Sequence, residues 1–125
     1  MLDRRHRLTS SAGFSLTTRR GRRAGTGTLV VHAGPGSATG TQVGFVVSKA
    51  VGNAVVRNRV RRRLRHLVRD RLGAWDGDRA VVVRALPPSA GASYASLGRD
   101  LDAAARRVGL VTETAGTIPE RRTLR

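Results

Sequence analysis

Arginine is concentrated in the middle of this chain, where eight of the fifteen residues at positions 57–71 are arginine. A guanidinium group is planar, permanently charged and able to donate two parallel hydrogen bonds to one phosphate. A dense cluster of such groups could neutralise the phosphates of RNA or DNA. The chemistry available to this segment is therefore the binding of a polyanion.

Apolar residues in the same segment indicate that it folds. Val56, Val60, Leu64 and Leu67 recur at intervals of four, four and three residues, which keeps their side chains on one face of an α-helix. At about 100° per residue, at least half of the helix circumference is cationic. Opposite the apolar face lie Asn58, Arg62, Arg65 and Arg69, with Arg59 and Arg63 on one flank and Arg57 and Arg61 on the other. We expect a packed helix with charges in fixed directions.

Flanking residues predict the ends of this helix. Val51, Gly52 and Asn53 form a turn after an apolar strand at residues 42–48, and Asn53 is placed to cap the helix. The helix should run to about Leu72 and stop at Gly73.

Composition bounds the possible partners. The net charge of +16 favours a polyanionic partner, because such a charge is self-repulsive in isolation. Lys49 is the single lysine among 24 basic residues. Arginine suits RNA and DNA equally, but the richness in Ala, Gly and Val also suggests genomic GC bias, which replaces Lys by Arg. Both explanations of the arginine excess stay open.

Length and residue usage favour one small cytoplasmic domain. A chain of 125 residues can bury a single core, and the absence of cysteine excludes disulfides and thiolate metal sites. No apolar run approaches the ~20 residues of a membrane helix, and the N-terminus resembles no signal peptide. We expect residues 1–110 to form one domain and residues 111–125, which lack periodicity, to be a disordered tail.

Groups for side-chain catalysis of RNA cleavage are sparse. A protein nuclease usually gathers carboxylates on metal ions or uses a histidine pair. Asp76 and Asp78 flank a turn glycine, and Asp100 and Asp102 point about 200° apart on a predicted helix, so turn and cap roles are favoured. The three histidines, His6, His32 and His66, lack ligand spacing. We predict neither a catalytic residue nor a metal site.

Other patterns complete the expected elements. Strands are predicted at residues 28–33 and 42–48, paired as an antiparallel hairpin through the loop GPGSATG, and at residues 79–86. Helices are predicted at about residues 11–20 and from Ser93 to Gly109. Arg19, Arg20, Arg22 and Arg23 would then form a cationic cluster at the end of the first helix.

The motif around the arginine helix resembles a known family. Ser48-Lys49, then VGNAVVRNRVRR at residues 51–62, then Leu64-Arg65, closely resembles the signature of the bacterial ribonuclease P protein component, and the resemblance covers roughly residues 4–110. It implies the small subunit of a ribonucleoprotein endonuclease that removes the 5′ leader from precursor tRNA. In that enzyme a catalytic RNA and its bound Mg²⁺ perform the hydrolysis, which is consistent with the missing catalytic side chains.

The resemblance also implies a fold. It is α+β, a two-layer α/β sandwich of order α-β-β-β-α-β-α, with an unusual left-handed βαβ crossover around the arginine helix. The residue patterns would not predict that hand, because right-handed crossovers are the rule.

Two binding surfaces follow from the same resemblance. The first docks on the catalytic RNA and comprises Lys49, Asn53, Arg57, Asn58, Arg59, Arg61, Arg62 and Arg65. The second, a cleft between the first helix and the sheet, holds the leader and comprises Phe14, His32 and Arg7. An aromatic residue such as Phe14 could stack a leader base or pack in the core, and both interpretations stay open.

This chain departs from the family pattern at three positions. Thr18 and His32 stand where family members commonly have aromatic residues, and Ala50 stands where a second lysine usually follows Lys49. Stacking of the leader could therefore be weaker here or rely on His32, and Arg57 or Arg61 could replace the missing lysine contact.

Other classes of function fit the residues less well than this resemblance does. A generic RNA-binding or ribosome-associated protein would explain the charge but not Gly52, Asn53 and Asn58 at fixed places. A basic amphipathic helix for anionic membranes or calmodulin-like partners is disfavoured because the apolar face lacks Trp, Phe and other bulky residues. A stand-alone nuclease is disfavoured by the scattered carboxylates. We expect the catalytic RNA and precursor tRNA as partners, with no membrane and no obligatory protein partner.

Overall fold

The computed structural model describes Arg7 and residues 21–36, 40–75 and 77–111. The helix predicted at residues 11–20, with Phe14, Thr18, Arg19 and Arg20, lies outside the described residues, as do Asp76 and residues 112–125.

The described chain forms one four-stranded sheet and two long helices. The strands are β1 (Arg22–Gly25), β2 (Leu29–Pro35), β3 (Gln42–Val46) and β4 (Arg79–Ala85). The helices are α1 (Ala54–Arg71) and α2 (Tyr94–Arg107), with short 3₁₀ turns at Leu72–Ala74 and Pro87–Ala90. The α+β class is confirmed, and the described elements follow the expected order after its first helix.

The sheet order is β1-β2-β4-β3. β4 pairs with β2 in the antiparallel sense and with β3 in the parallel sense. The predicted hairpin between β2 and β3 is therefore wrong, because β4 lies between them. A glycine-rich loop indicates that the chain turns, but it does not specify which strand becomes the neighbour.

The hairpin partner of β2 is β1, where Arg23 lies opposite His32 and Ala24 opposite Val31. Arg22 and Arg23 were predicted to end a helix and instead belong to this edge strand. Charged residues are common on edge strands, where one side of the backbone has no partner strand. The short sequence RRAG lacks the β-branched residues by which the other strands were found.

Alternation along the strands separates two faces of the sheet. On one face, Leu29, Val31, Val81 and Val83 are fully buried. The helices supply the facing side of this core with Val60, Leu64, Leu67, Val68, Leu97, Leu101, Ala104 and Ala105. The opposite face carries the alternate residues of each strand, including Val30 and His32 on β2 and Val82 and Arg84 on β4.

α1 agrees closely with its prediction at the start. Asn53 is the N-cap, and its Oδ1 accepts a hydrogen bond from the N–H of Val56 at 3.0 Å. At the other end the helix passes from Arg71 directly into the 3₁₀ turn that includes Gly73, so a glycine stop is not what ends it.

α2 is bounded by two local signals. Ser93 Oγ accepts a hydrogen bond from the N–H of Ser96 at 3.0 Å, and Gly109 beyond the helix has φ 81°, a conformation that favours glycine. Both ends agree with the sequence prediction.

Two aspartates of α2 form hydrogen bonds with residues outside the helix. Asp100 Oδ2 accepts hydrogen bonds from the hydroxyl and the N–H of Thr28, at 2.5 and 3.2 Å. Asp102 binds the guanidinium of Arg71 in two-toothed fashion, at 2.6 and 3.2 Å. These carboxylates join separate elements, so the cap and turn roles predicted for them are wrong.

α1 connects β3 to β4, which are parallel neighbours. This β3-α1-β4 unit is the crossover to which the family resemblance attaches a left hand, and that hand stays a prediction. Val111, which opens the predicted tail, is partly buried against the core.

Candidate nucleic-acid interface

The turn before α1 is tightly built. A Cβ atom on Gly52 would lie 2.9 Å from the Val56 side chain, so a larger residue would displace the first helical turn. The carbonyl of Gly52 accepts a hydrogen bond from Arg57 Nε at 3.1 Å. Gly52 and Asn53 therefore shape the start of α1, and Arg57 is tied to the same turn.

One flank of α1 holds a neighbouring loop. Arg59 Nη2 donates to the carbonyl of Ala90 at 3.0 Å, and Arg63 Nη1 donates to the carbonyl of Ala92 at 3.3 Å. Arg59 Nε is buried and has no hydrogen-bond partner. These two arginines use part of their donor capacity inside the protein.

The exposed face of α1 carries a second set of polar side chains. Arg62 and Asn58 are exposed, while Arg61 and Arg65 are half-buried. Arg61 Nη1 donates to Asn58 Oδ1 at 3.3 Å. We call Asn58, Arg61, Arg62 and Arg65 the outer row.

Cations crowd one another around this row. Burial lowers the pKa of Arg65, and repulsion from Arg61 and Arg7 lowers it further. Within the described residues, the carboxylate ion pairs of α1 involve Arg69, 3.8 Å from Asp70, and Arg71. Among the described residues, the outer row thus carries positive charge without a carboxylate partner, and an added phosphate would relieve the repulsion.

Lys49 and Ala50 are exposed in the turn that follows β3, before α1. Lys49 and Asn53 thus lie at the N-terminal end of α1, as the resemblance implies. The structure therefore gathers all eight residues predicted to contact the catalytic RNA along one helix and its leading turn, but Asn53, Arg57 and Arg59 also have structural contacts there.

The opposite face of the sheet contains a separate cationic cavity. It encloses about 290 Å³ and is lined by Arg23, Val30, His32, Arg84 and Leu86. Burial and the positive charges of Arg84 and Arg23 lower the pKa of His32, which is 6% exposed. Its Nδ1 atom is buried without a hydrogen-bond partner.

Of the three residues assigned to the leader, the two that the structure describes, Arg7 and His32, do not lie together. Arg7 is exposed and pairs with Val43 of β3 through a parallel backbone bridge, near Arg65. His32 lies on β2, with β4 between β2 and β3. The structure thus brings Arg7 to the α1 side of the molecule rather than to His32, and Phe14 lies outside the described residues.

Arg23 and Arg84 were not predicted beside His32. Alternation in RAVVVRA does put Arg84 on the same face as Val82, but the pairing of β4 with β2 was needed to bring Arg84 near His32. β1 was not predicted, because its sequence RRAG lacks β-branched residues, and Arg23 was therefore not placed on a strand beside His32.

Across Arg7 and residues 21–36, 40–75 and 77–111, no group of three or more His, Cys, Asp or Glu residues could hold a metal ion. No helix in these ranges is long and apolar enough to span a membrane.

Comparison with known proteins identifies the family. The family model described as ribonuclease P matches residues 2–109. The chain belongs to the ribonuclease P protein family. Ribonuclease P is a ribonucleoprotein endoribonuclease of tRNA processing, and the members of this family are its protein subunit.

Named relatives agree over most of their length. The ribonuclease P protein component of a Nocardioides species is 55% identical over 112 residues, which cover 87% of this chain and 96% of the relative. That of Streptomyces bikiniensis is 54% identical over 117 residues, with 86% and 95% covered.

Solved structures share the fold. The Staphylococcus aureus RNase P protein superimposes with a TM-score of 0.76 at 20% identity, covering 86% of this chain and 98% of that chain. The Thermotoga maritima RNase P protein gives 0.73 at 21% identity, covering 82% and 96%. At these identities the likeness shows the fold alone.

Proposed function

We propose that this ribonuclease P protein binds the catalytic RNA through α1 and the 5′ leader of precursor tRNA through the opposite face of the sheet. By holding the two RNAs together, it assists Mg²⁺-dependent removal of the leader. The single observation that carries the proposal is the outer row, in which Arg61, Arg62 and Arg65 lie close together without a carboxylate partner among the described residues.

Electrostatics support α1 as the surface for the catalytic RNA. Phosphate binding releases condensed counterions and offsets the repulsion among the arginines. A crowded cationic row therefore gains more binding free energy from RNA than the same number of isolated charges would. The helix is anchored by its buried apolar face and by Asn53, which keeps the row in a fixed direction.

The position of the cavity supports a second RNA contact. α1 packs on one face of the sheet and the cavity opens on the other, so two RNA segments can be bound without competing for the same residues. On the strength of the family resemblance, we propose Phe14, which lies outside the described residues, as a further contact of the leader.

The donor set argues for Mg²⁺ on RNA rather than on the protein. Mg²⁺ prefers oxygen ligands, but Asp100 and Asp102 are engaged with Thr28 and Arg71, and the described residues form no carboxylate cluster. In the proposed holoenzyme, Mg²⁺ held by RNA phosphates supplies the activated water. The protein's side chains contribute binding and charge neutralisation.

We also propose the organisation expected from the sequence. Residues 1–110 act as one RNA-binding domain in the cytoplasm, the residues that follow the partly buried Val111 form a disordered tail, and no further protein is required for activity.

Reconstitution tests the proposal. The purified protein alone should leave precursor tRNA intact, and addition of the cognate catalytic RNA should produce the mature 5′ end at low Mg²⁺. RNA alone at the same Mg²⁺ concentration is the control. Cleavage by the protein alone, lost in an Asp76→Asn and Asp78→Asn double variant, would assign catalysis to the protein. Equal cleavage with and without protein would instead indicate a generic RNA-binding role.

A further inference from the structure

The cavity on the second face of the sheet has a defined arrangement of donors. Arg23 of β1 lies directly opposite His32 of β2, and Val82 of β4 lies opposite His32 on the other side. Arg84 is two residues further along β4, the diagonal position, at which side chains of arginine length come within reach. Two guanidinium groups thus approach one imidazole from neighbouring strands.

The imidazole can use only one of its nitrogens toward this cavity. Nδ1 is enclosed and has no partner, so the ring meets the cavity through Nε2. A buried N–H without an acceptor is rarer and more costly than a buried acceptor without a donor. The neutral ring therefore carries its proton on Nε2 and leaves the lone pair on Nδ1.

Charges around the ring keep it neutral. Burial, Arg84 and Arg23 all lower the pKa of His32. The other charged groups described near β2 point to the far face of the sheet, where Asp100 binds Thr28, Arg22 binds the carbonyl of Arg107, and Arg107 binds the carbonyl of Gly25. No described carboxylate faces the imidazole.

We propose that His32 acts as a fixed neutral hydrogen-bond donor and, with Arg23 and Arg84, forms a subsite for one phosphodiester group of a single-stranded RNA. The inference rests on the proposed binding of the leader to this face. It makes His32 a specificity-determining residue for precursor tRNA.

The chemistry of the lining selects phosphate over a base edge. The five described lining side chains provide donors from His32, Arg23 and Arg84 and apolar surface from Val30 and Leu86, with no accessible acceptor. A base edge presents donors as well as acceptors, and its donors would lose their partners here. A phosphodiester offers only acceptors, which match both guanidinium groups and Nε2–H.

Substitution of the ring separates donation from stacking. His32→Phe keeps an aromatic ring and loses the donor, whereas His32→Gln loses the ring and keeps an N–H near the position of Nε2. We expect His32→Phe to lower the ratio of precursor to mature tRNA affinity of the holoenzyme by about tenfold, as for one net hydrogen bond, and His32→Gln to stay within about twofold of wild type. The reverse order would establish stacking and overturn the proposal.

A matched charge removal tests the arginines. Arg84→Gln should lower the same affinity ratio, while Arg106→Gln, an exposed arginine in the last turn of α2, should leave it unchanged. Equal effects of both variants would show that net charge, and not a subsite at Arg84, determines the affinity ratio, and would overturn the proposal. Melting temperatures of all four variants identify any loss caused by unfolding.

Nitrogen NMR of the free protein tests the site without the holoenzyme. At pH 7 we expect a neutral Nε2–H tautomer for His32, with the Nε2 resonance moved by inorganic sulfate and by a single-stranded leader oligonucleotide. A charged ring, an Nδ1–H tautomer or a response to sulfate alone would each overturn the proposal. If the wild-type holoenzyme does not prefer precursor tRNA, the proposed leader function fails, whereas the sulfate and oligonucleotide responses still report on the subsite.

Discussion

The two sides of α1 use the same residue type for different purposes. On one flank, Arg59 and Arg63 donate to the carbonyls of Ala90 and Ala92 and hold the segment after β4 against the helix. On the exposed face, the outer row has neighbouring cations and no described carboxylate partner. An arginine-rich helix is therefore not uniformly a phosphate-binding surface, because some of its charges are already bound within the fold.

The largest expected effect concerns the outer row. Replacing Arg62 and Arg65 by Ala should weaken binding to the catalytic RNA and lower the slope of log K against log salt by roughly 0.7 to 0.9 for each phosphate that the variant no longer binds. Titrations at several salt concentrations measure this slope, and the preference for precursor over mature tRNA should survive. An unchanged affinity and slope would remove the outer row from the interface.

The next effect concerns the flank. Arg59→Ala should lower the free energy of unfolding by about 1 to 3 kcal/mol, because the carbonyl of Ala90 loses its donor and the buried stem of Arg59 leaves a gap. Urea denaturation measures the loss, with the exposed Arg62→Ala as the control. Binding of the folded variant to RNA should keep nearly the wild-type salt slope. A lowered slope with unchanged stability would make Arg59 a phosphate ligand instead.

Asn53 tests whether one residue can both stabilise the fold and contact RNA. Asn53→Ala should cost about 1 kcal/mol of stability through loss of the N-cap, while Asn53→Ser should retain the cap. Thermal unfolding gives the stability, and RNA binding is measured for both variants. If Asn53→Ser is as stable as wild type but binds RNA more weakly, the amide contacts RNA directly. Unchanged RNA binding by that variant limits Asn53 to its capping role.

The smallest expected effect is the pH dependence contributed by His32. Its pKa in the folded protein lies below the ordinary value of 6.5, so the unfolded chain binds the proton more readily. This contribution to stability is fully present above pH 6.5 and is lost as the pH falls through the folded-state pKa. Unfolding measured from about pH 7.5 to about pH 5 should show a shallower decline for His32→Phe than for wild type. Parallel curves would contradict the lowered pKa.

Local patterns in the sequence were sufficient to predict α2 and α1, the candidate RNA-binding helix. The apolar spacing from Val56 to Leu67, the cap at Asn53 and the cap at Ser93 each depend on residues within a few helical turns. The family motif lies in the same stretch, so the residues proposed to bind the catalytic RNA could be named before the fold was known.

Strand pairing and the internal contacts of the arginines were decided by the tertiary structure. β4 lies between β2 and β3, Arg59 reaches Ala90 at a separation of 31 residues, and Arg23 and Arg84 converge on His32 from separate strands. Arg7 likewise lies beside β3 and not beside His32. Such contacts depend on the packing of the whole core, in which many weak non-local interactions select one strand order, and no short sequence window contains that information.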